Sequence, residues 1–170
     1  MPLFVLPFDH RATFVKHLLG FPYPCTTKVQ EARVRELKGL VFDGFCRAKA
    51  QYHGDDTLAI LIDEEFCASI IAKAKKMRIP LAVSTEKSGQ EVFAFEYGKN
   101  FSAHIKKWKP SYTKALVRYN IANKKDNRLQ NARLKILSAF CGKAHVGFML
   151  ELLMTGNGSR FKQLKQTMQE

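Results

Sequence analysis

The sequence predicts an α/β fold built on a parallel sheet, and three observations support this prediction. Five short apolar runs are separated by stretches with helical periodicity. Apolar strands that alternate with helices are typical of parallel sheets. Each run also ends in polar or charged residues, and such sheets bind ligands at the carboxyl ends of their strands. The pattern therefore predicts both the architecture and the edge of the sheet that holds a site.

The order of the predicted elements is regular along the chain. Strands are predicted at residues 3–8, 58–62, 80–85, 115–117 and 146–150. Helices are predicted at residues 13–19, about 26–45, 66–77, 100–108 and 129–140. Gly20 and Pro22 end the first helix, Pro80 and Pro110 end the third and fourth, and Gly142 ends the fifth. The chain is thus expected to contain five βα units.

One helix and one loop have further features. In the longest predicted helix, apolar residues recur at three- and four-residue steps, as a single helix face requires. We expect them to form one buried stripe of Val34, Leu37, Val41 and Phe45. The segment 89–98 is longer than a usual βα connection, and residues 92–95 are predicted to form a small strand within it.

The composition is that of an ordinary globular protein. Of the 170 residues, 46% are hydrophobic and 25% are charged, which predicts a single domain with a substantial core. We expect residues 1–154 to form this domain, and residues 155–170 to be a polar basic tail or the start of the next helix. No apolar run reaches the roughly 18 residues that a membrane span needs, and the N-terminus lacks the features of a signal peptide.

Cysteine and histidine spacing gives no sign of a metal site. The four cysteines lack CxxC spacing, and we interpret them as reduced thiols of a cytoplasmic protein. The five histidines are not spaced as zinc ligands. No metal or other cofactor is predicted.

The formal net charge of +13 is unusual and could indicate a polyanionic partner. The basic residues, however, are distributed over several predicted helices, and aromatic residues do not interleave with them as in a single-strand binding groove. We therefore expect a solvated basic surface in preference to a nucleic-acid interface. Because no apolar run is long enough to span a membrane, no membrane partner is expected either.

Chain length leaves two architectures open. An eight-unit barrel typically needs about 250 residues. The five predicted units form either an open doubly wound sheet or the front part of a barrel. The order of elements alone does not choose between them.

Alternation along the strands predicts three inward-facing charged residues. Asp9, Lys114 and Glu151 fall on faces that would line a barrel interior, where they could transfer protons and polarise a carbonyl. Each also has a structural explanation. Asp9 could cap a helix, Lys114 could extend to solvent, and Glu151, which interrupts an apolar run, could pair with a buried cation.

Other polar residues that follow the strands are candidate substrate-binding groups. They are His10, Arg11, Asp63, Glu86, Lys87, Arg118 and Asn120. In the segment 86–89, a lysine and backbone amides could lie near a phosphate, although the P-loop spacing GxxxxGK[ST] is absent.

Five segments of the sequence, in one order, resemble a known family. They are LPFDHR, LIDEEF, EKSGQEVFAFEYG, TKALVRYN and FMLELL. The resemblance covers about Leu3 to Met154 and is to the aldolase-like domain fused behind 5-dehydro-2-deoxygluconokinase, the sugar kinase of myo-inositol catabolism. That domain is associated with cleavage of 2-deoxy-5-keto-gluconate 6-phosphate. It is related to the class I tagatose-bisphosphate aldolases, which are (β/α) barrels, so the resemblance implies the first five units of a TIM-like barrel.

The resemblance also implies roles for individual residues. Asp9 and His10 are similar to an Asp-Gln pair in the active site of the tagatose-bisphosphate aldolases, with histidine here in place of glutamine. Lys114 is similar to a strand-four lysine that contacts substrate, and Glu151 to a strand-five glutamate that serves as acid/base. The Schiff-base lysine of those enzymes lies on strand six, and nothing in this sequence matches it.

Two functions are expected from these observations. The first is an aldolase-type lyase domain that cleaves a phosphorylated keto sugar, represented by the N-terminal part of its barrel, so that this chain alone could be inactive. The alternative is a non-catalytic protein that binds anionic ligands or other proteins on a reduced barrel scaffold. In that case, homo-oligomerisation could cover the exposed strand edges.

Overall fold

Five parallel strands form the centre of the computed structural model, which describes residues 2–156 and 159–167. The strands are β1 (Leu3–Pro7), β2 (Thr57–Ile62), β3 (Leu81–Ser84), β4 (Tyr112–Tyr119) and β5 (Gly147–Met154). They pair in chain order, each parallel to the next. A doubly wound sheet reverses its order at a switch point, whereas a barrel keeps consecutive strands adjacent. The sheet curls into a half-barrel, which confirms the predicted TIM-barrel-like fold class.

Helices alternate with these strands. They are α1 (Lys28–Gln51), α2 (Glu64–Lys76), α3 (Phe101–Trp108), α4 (Lys124–Ala144) and α5 (Arg160–Thr167). A π-helical turn at Phe14–Leu18 replaces the predicted first helix, and a 3₁₀ turn at Gly98–Asn100 precedes α3. The predicted tail contains α5, while residues 157, 158 and 168–170 lie outside the described part of the chain. None of the described helices has the length and apolar character needed to cross a membrane.

Two apolar clusters cover the outer face of the sheet. In one, α1 and α2 pack on the outward side chains of the first strands, including Ile60 and Ile62. In the other, α4 packs on β4 and β5 through residues such as Leu137 and Val117. This packing leaves the inner face of the curled sheet uncovered, with apolar side chains along it and charged side chains at one end.

The buried stripe of α1 differs from the predicted one. Its fully buried residues are Val34, Lys38 and Phe42, which follow a four-residue step along the helix. Leu37 and Val41 are only half-buried at the margin of this stripe. Spacing alone did not predict that a lysine would occupy its centre.

The predicted strand at 92–95 is not formed. Instead, the segment 85–97, here called the β3–α3 loop, doubles back on itself through one antiparallel bridge between Glu86 and Phe95. Glu96 N–H donates to the Thr85 carbonyl at 2.9 Å. The buried Phe93 anchors the loop to α4, because its N–H donates to Gln130 Oε1 at 3.0 Å. The loop is thereby held near the carboxyl ends of β3 and β4.

Candidate active site

An ammonium group surrounded by three carboxylates lies at the carboxyl end of the sheet. Lys114 Nζ is 2.9 Å from Asp9 Oδ2, 3.0 Å from Glu86 Oε1 and 2.8 Å from Glu151 Oε2. We call these four residues the Lys114 cluster. The three residues predicted to be catalytic therefore meet, and Glu86 joins them from the end of β3.

Strand alternation explains why these side chains converge. Inward-facing residues of β1, β4 and β5, together with Leu61 of β2, line one open void of about 380 Å³. Val5 and Pro7 line the void on one side and Met149 lines it on the other. Asp9, Lys114 and Glu151 line its polar end. The three predicted faces therefore do share one interior.

Burial and charge act in opposite directions on Lys114, which is 3% exposed. Burial by itself would lower the pKa of the ammonium, but the negative charges of Glu86 and Asp9 and hydrogen bonds to Glu151 and Asp9 outweigh it. The pKa of Lys114 is therefore raised above its ordinary value. The group is held as a cation rather than as a neutral amine.

Glu86, in the same cluster, has a different proton affinity from that of a glutamate in water. Burial raises its pKa above the ordinary value, although the positive charge of Lys114 acts against this. Its second carboxylate oxygen accepts from Leu116 N–H at 3.3 Å. Glu86 is thus a fixed carboxyl group whose proton affinity is increased.

Glu151 is more accessible than its apolar strand suggested. Its side chain is 47% exposed, although it contacts the buried Lys114. The exposure follows from the curvature of the sheet, since the void between β1 and β5 is open to solvent. Glu151 is therefore the carboxylate of the cluster that a ligand can reach directly.

A cleft of about 130 Å³ adjoins the cluster on the side of the β3–α3 loop. The predicted site residues that line it are Asp9, His10, Arg11, Glu86, Lys87, Lys114, Arg118 and Glu151. Asp63 and Asn120 are not among its lining residues.

Asp63 has a structural position instead. Its Oδ1 accepts from Phe66 N–H at 2.7 Å and so caps the N-terminus of α2. Its other oxygen pairs with Lys38, whose Nζ also donates to the Phe8 carbonyl at 2.8 Å. Both side chains of this pair are fully buried.

Asn120 also serves the backbone. Its side-chain oxygen accepts from Ala122 N–H at 3.1 Å, and its carbonyl accepts from Asn127 Nδ2 at 2.8 Å. These contacts form the turn between β4 and α4. These contacts explain the position of Asn120 without a role in ligand binding.

Arg11 holds the β3–α3 loop in place. One guanidinium nitrogen donates to Glu96 Oε2 at 2.6 Å, and the other donates to the Glu86 carbonyl. Glu96 Oε2 also accepts from Ser88 N–H at 3.2 Å. Glu96 was not singled out in the sequence analysis. The signal that could have identified it is its place within the EKSGQEVFAFEYG segment.

A further contact fixes the loop from the side of β4, and α4 holds the strand residue that makes it. Arg118 donates to the Gln90 carbonyl at 2.7 Å. Gln130, which the sequence did not single out, donates to the Arg118 carbonyl at 3.0 Å.

Within residues 2–156 and 159–167, no group of His, Cys, Asp and Glu side chains is arranged to hold a metal ion.

Comparison with protein families gives a match over nearly the whole chain. A family model described as "Uncharacterized protein conserved in bacteria (DUF2090)" matches residues 1–169, nearly the whole chain. A search of curated proteins finds no match.

Proposed function

The chain belongs to the DUF2090 family, and we propose that it acts as an aldolase-type lyase domain on a phosphorylated keto sugar. The observation that carries the proposal is the Lys114 cluster, in which a buried ammonium contacts three carboxylates beside an open cleft. Charged groups of this kind at the carboxyl ends of barrel strands are typical of catalytic sites. The resemblance of the five sequence segments to aldolase-like domains supports the same reaction class.

Lys114 is proposed to stabilise charge rather than to form an imine. A lysine nucleophile must lose its proton, and enzymes achieve this by lowering its pKa. The pKa of Lys114 is raised, so this lysine is poorly suited to attack a carbonyl. A fixed cation can instead stabilise the negative charge that develops on a carbonyl oxygen.

Cleavage of a β-hydroxy ketone needs a base and a group that accepts the electron pair. In the proposal, Glu151 takes the proton of the substrate hydroxyl group as the carbon–carbon bond breaks and an aldehyde forms. The electron pair of that bond moves toward the carbonyl, where Lys114 stabilises the enolate oxygen. Glu151 then returns the proton to the carbon, which gives the ketone product. The imine lysine that the resembled aldolases carry on strand six has no assigned counterpart among these residues.

The test is turnover of 2-deoxy-5-keto-gluconate 6-phosphate by the purified chain, with aldehyde release followed by mass spectrometry. Glu151→Gln should lower turnover by roughly 10²–10⁴-fold, the usual range for general acid–base catalysis. Substrate affinity and melting temperature should change much less, because the amide keeps the shape of the side chain. Glu91→Gln, at an exposed position of the β3–α3 loop, is the matched control.

Two results would contradict the proposal. Absence of both turnover and substrate binding removes the lyase function, and near-normal turnover of Glu151→Gln removes this residue from the mechanism. Borohydride is added in a parallel reaction. A covalent adduct on this polypeptide would show that one of its own lysines forms an imine, and peptide mapping would identify that lysine.

A second candidate function is an interaction protein on the same scaffold. Among the described residues, β1 and β5 each pair on one side only, and apolar side chains on them are exposed, including Phe4 and Leu150 at 55% and 49%. Exposed edges of this kind favour association. A second copy of the chain could cover them, although the net charge of +13 opposes self-association at low salt. Sedimentation should then show dimers that strengthen with added salt, and a monomer at every salt concentration would count against an edge-paired dimer.

A further inference from the structure

The charges that line the cleft are divided between its two ends. The carboxylates gather around Lys114 at the inner end. Lys87 and Arg118 line the same cleft on the side of the β3–α3 loop. Within the described part of the chain, the ion pairs include neither of these two cations. A ligand in the cleft would therefore meet a proton-transfer group at one end and uncompensated positive charge at the other.

Arg11 also lines the cleft and carries an unsatisfied donor. Its two terminal nitrogens are occupied by Glu96 and by the Glu86 carbonyl. Its Nε is buried and has no hydrogen-bond partner. The whole residue is 5% exposed and lines the cleft. Because a buried unpaired donor is costly, an anionic oxygen that reached Nε would be bound favourably.

The backbone of the loop is shaped before any ligand binds. Lys87 N–H and Gln90 Nε2 both donate to the Ala94 carbonyl, at 2.8 and 2.9 Å. Gly89 has a φ of +75° and lacks a Cβ, so the chain turns there with its backbone open to the cleft. A prearranged loop loses little entropy on binding.

We propose that the phosphoryl group of a phosphate ester binds at this positive end, between Lys87 and Arg118 and against Arg11. The assignment rests on the proposed function, since the ester is the substrate whose carbonyl end would face Lys114. TIM-barrel enzymes frequently bind phosphate with the loops that follow strands seven and eight. Here the cations come from the loop after β1, the β3–α3 loop and β4, so the substrate would lie with its phosphate over the first half of the barrel.

The test is binding of inorganic phosphate and of glycerol 3-phosphate to the whole chain by calorimetry, with glycerol as the uncharged control. Lys87→Met removes an exposed cation whose side chain has no hydrogen bond or ion pair within residues 2–156 and 159–167, and it should weaken binding of both anions by about tenfold. Arg118→Lys keeps the positive charge but loses the planar guanidinium, and it should weaken anion binding less than Lys87→Met does. Lys135→Met, at an exposed position of α4, should leave binding unchanged.

The outcomes separate this subsite from the lyase function. Weaker binding in Lys87→Met but not in Lys135→Met supports the subsite, even if no aldehyde is ever released. Equal binding by wild type, Lys87→Met and Lys135→Met overturns it, even if the chain proves to be a lyase. Failure of both anions to bind also overturns it. Binding of inorganic phosphate without glycerol 3-phosphate would overturn the assignment to an ester.

Discussion

Replacing Lys114 by methionine should show how much the ion pairs of the Lys114 cluster contribute to the free energy of unfolding. The substitution keeps the apolar stem but leaves Asp9 and Glu86 buried without the ammonium that lies 2.9 and 3.0 Å from them. Removal of one partner from a buried ion pair costs about 3–5 kcal/mol. Glu151 adds little to this figure, because its side chain is 47% exposed and solvent screens its charge. We therefore expect the free energy of unfolding to fall by about 3–5 kcal/mol at pH 7, out of a typical total of about 5–15 kcal/mol.

The loss should depend on pH in a defined direction. Burial raises the pKa of Glu86 and the charge of Lys114 opposes this, so the pKa should rise further in Lys114→Met. A carboxyl group whose pKa is higher in the folded state binds more protons when folded, and the variant should therefore regain stability as the pH falls from 7 toward 5. The pKa of Lys114 is itself raised. Its contribution to the wild type is therefore fully present below its unfolded value, about 10.4, and is lost only as the pH rises through the folded value.

Urea denaturation between pH 5 and pH 8 measures both effects. Lys135→Met, which removes an exposed lysine from α4, controls for loss of one positive charge. Adding Glu86→Gln to Lys114→Met should restore part of the stability, because it removes one of the uncompensated charges. A cost below about 1 kcal/mol, as for an exposed ion pair, or a pH profile parallel to that of the wild type, would refute the reasoning.

Three further substitutions test the contacts around the site. Asp63→Asn keeps a helix cap but leaves Lys38 buried without its counter-charge, so urea denaturation should show a loss of about 3–5 kcal/mol. Arg11→Lys loses the forked contact to the β3–α3 loop, and amide hydrogen exchange in residues 86–96 should become faster. Thr27→Ala removes the side-chain cap of α1 and should lower the unfolding free energy by about 1 kcal/mol.

Each of these has a control. Asp43→Asn changes an exposed aspartate of α1 and should leave the free energy of unfolding nearly unaltered. If Asp63→Asn costs no more than Asp43→Asn, the buried Lys38–Asp63 pair does not stabilise the fold as argued. Exchange in the centre of α4 should not change in Arg11→Lys, and a uniform increase would indicate global destabilisation instead. Thr27→Ser keeps the hydroxyl and should retain the cap.

The sheet could be predicted from the sequence because each strand is a compact apolar run with polar residues at its end. The choice between an open sheet and a barrel required the observed strand order. The run at residues 92–95 shows the limit of this reasoning. It is apolar and short, as a buried strand would be, but β3 and β4 already pair with each other, so the run has no place between them and forms part of a loop.

The charged residues were predictable only in part. Asp9, Lys114 and Glu151 share an inward face that alternation alone can assign. Arg11 was expected to bind substrate, but its contacts to Glu96 and Glu86 connect segments that are far apart in the sequence, so no local pattern reports them. Burial of such long-range pairs depends on the packing of the whole domain.

Lys38 and Lys114 show why charge alone does not identify a site. Each is a buried lysine in contact with at least one buried carboxylate, and each lies where a sequence pattern would place an ordinary packed or solvated residue. Their difference is access. The Lys38–Asp63 pair is fully enclosed, so a ligand could reach it only if α1 moved. At Lys114, the Glu151 side chain is 47% exposed while Asp9 is buried, so a ligand can reach the cluster through Glu151, as the proposed proton transfer requires.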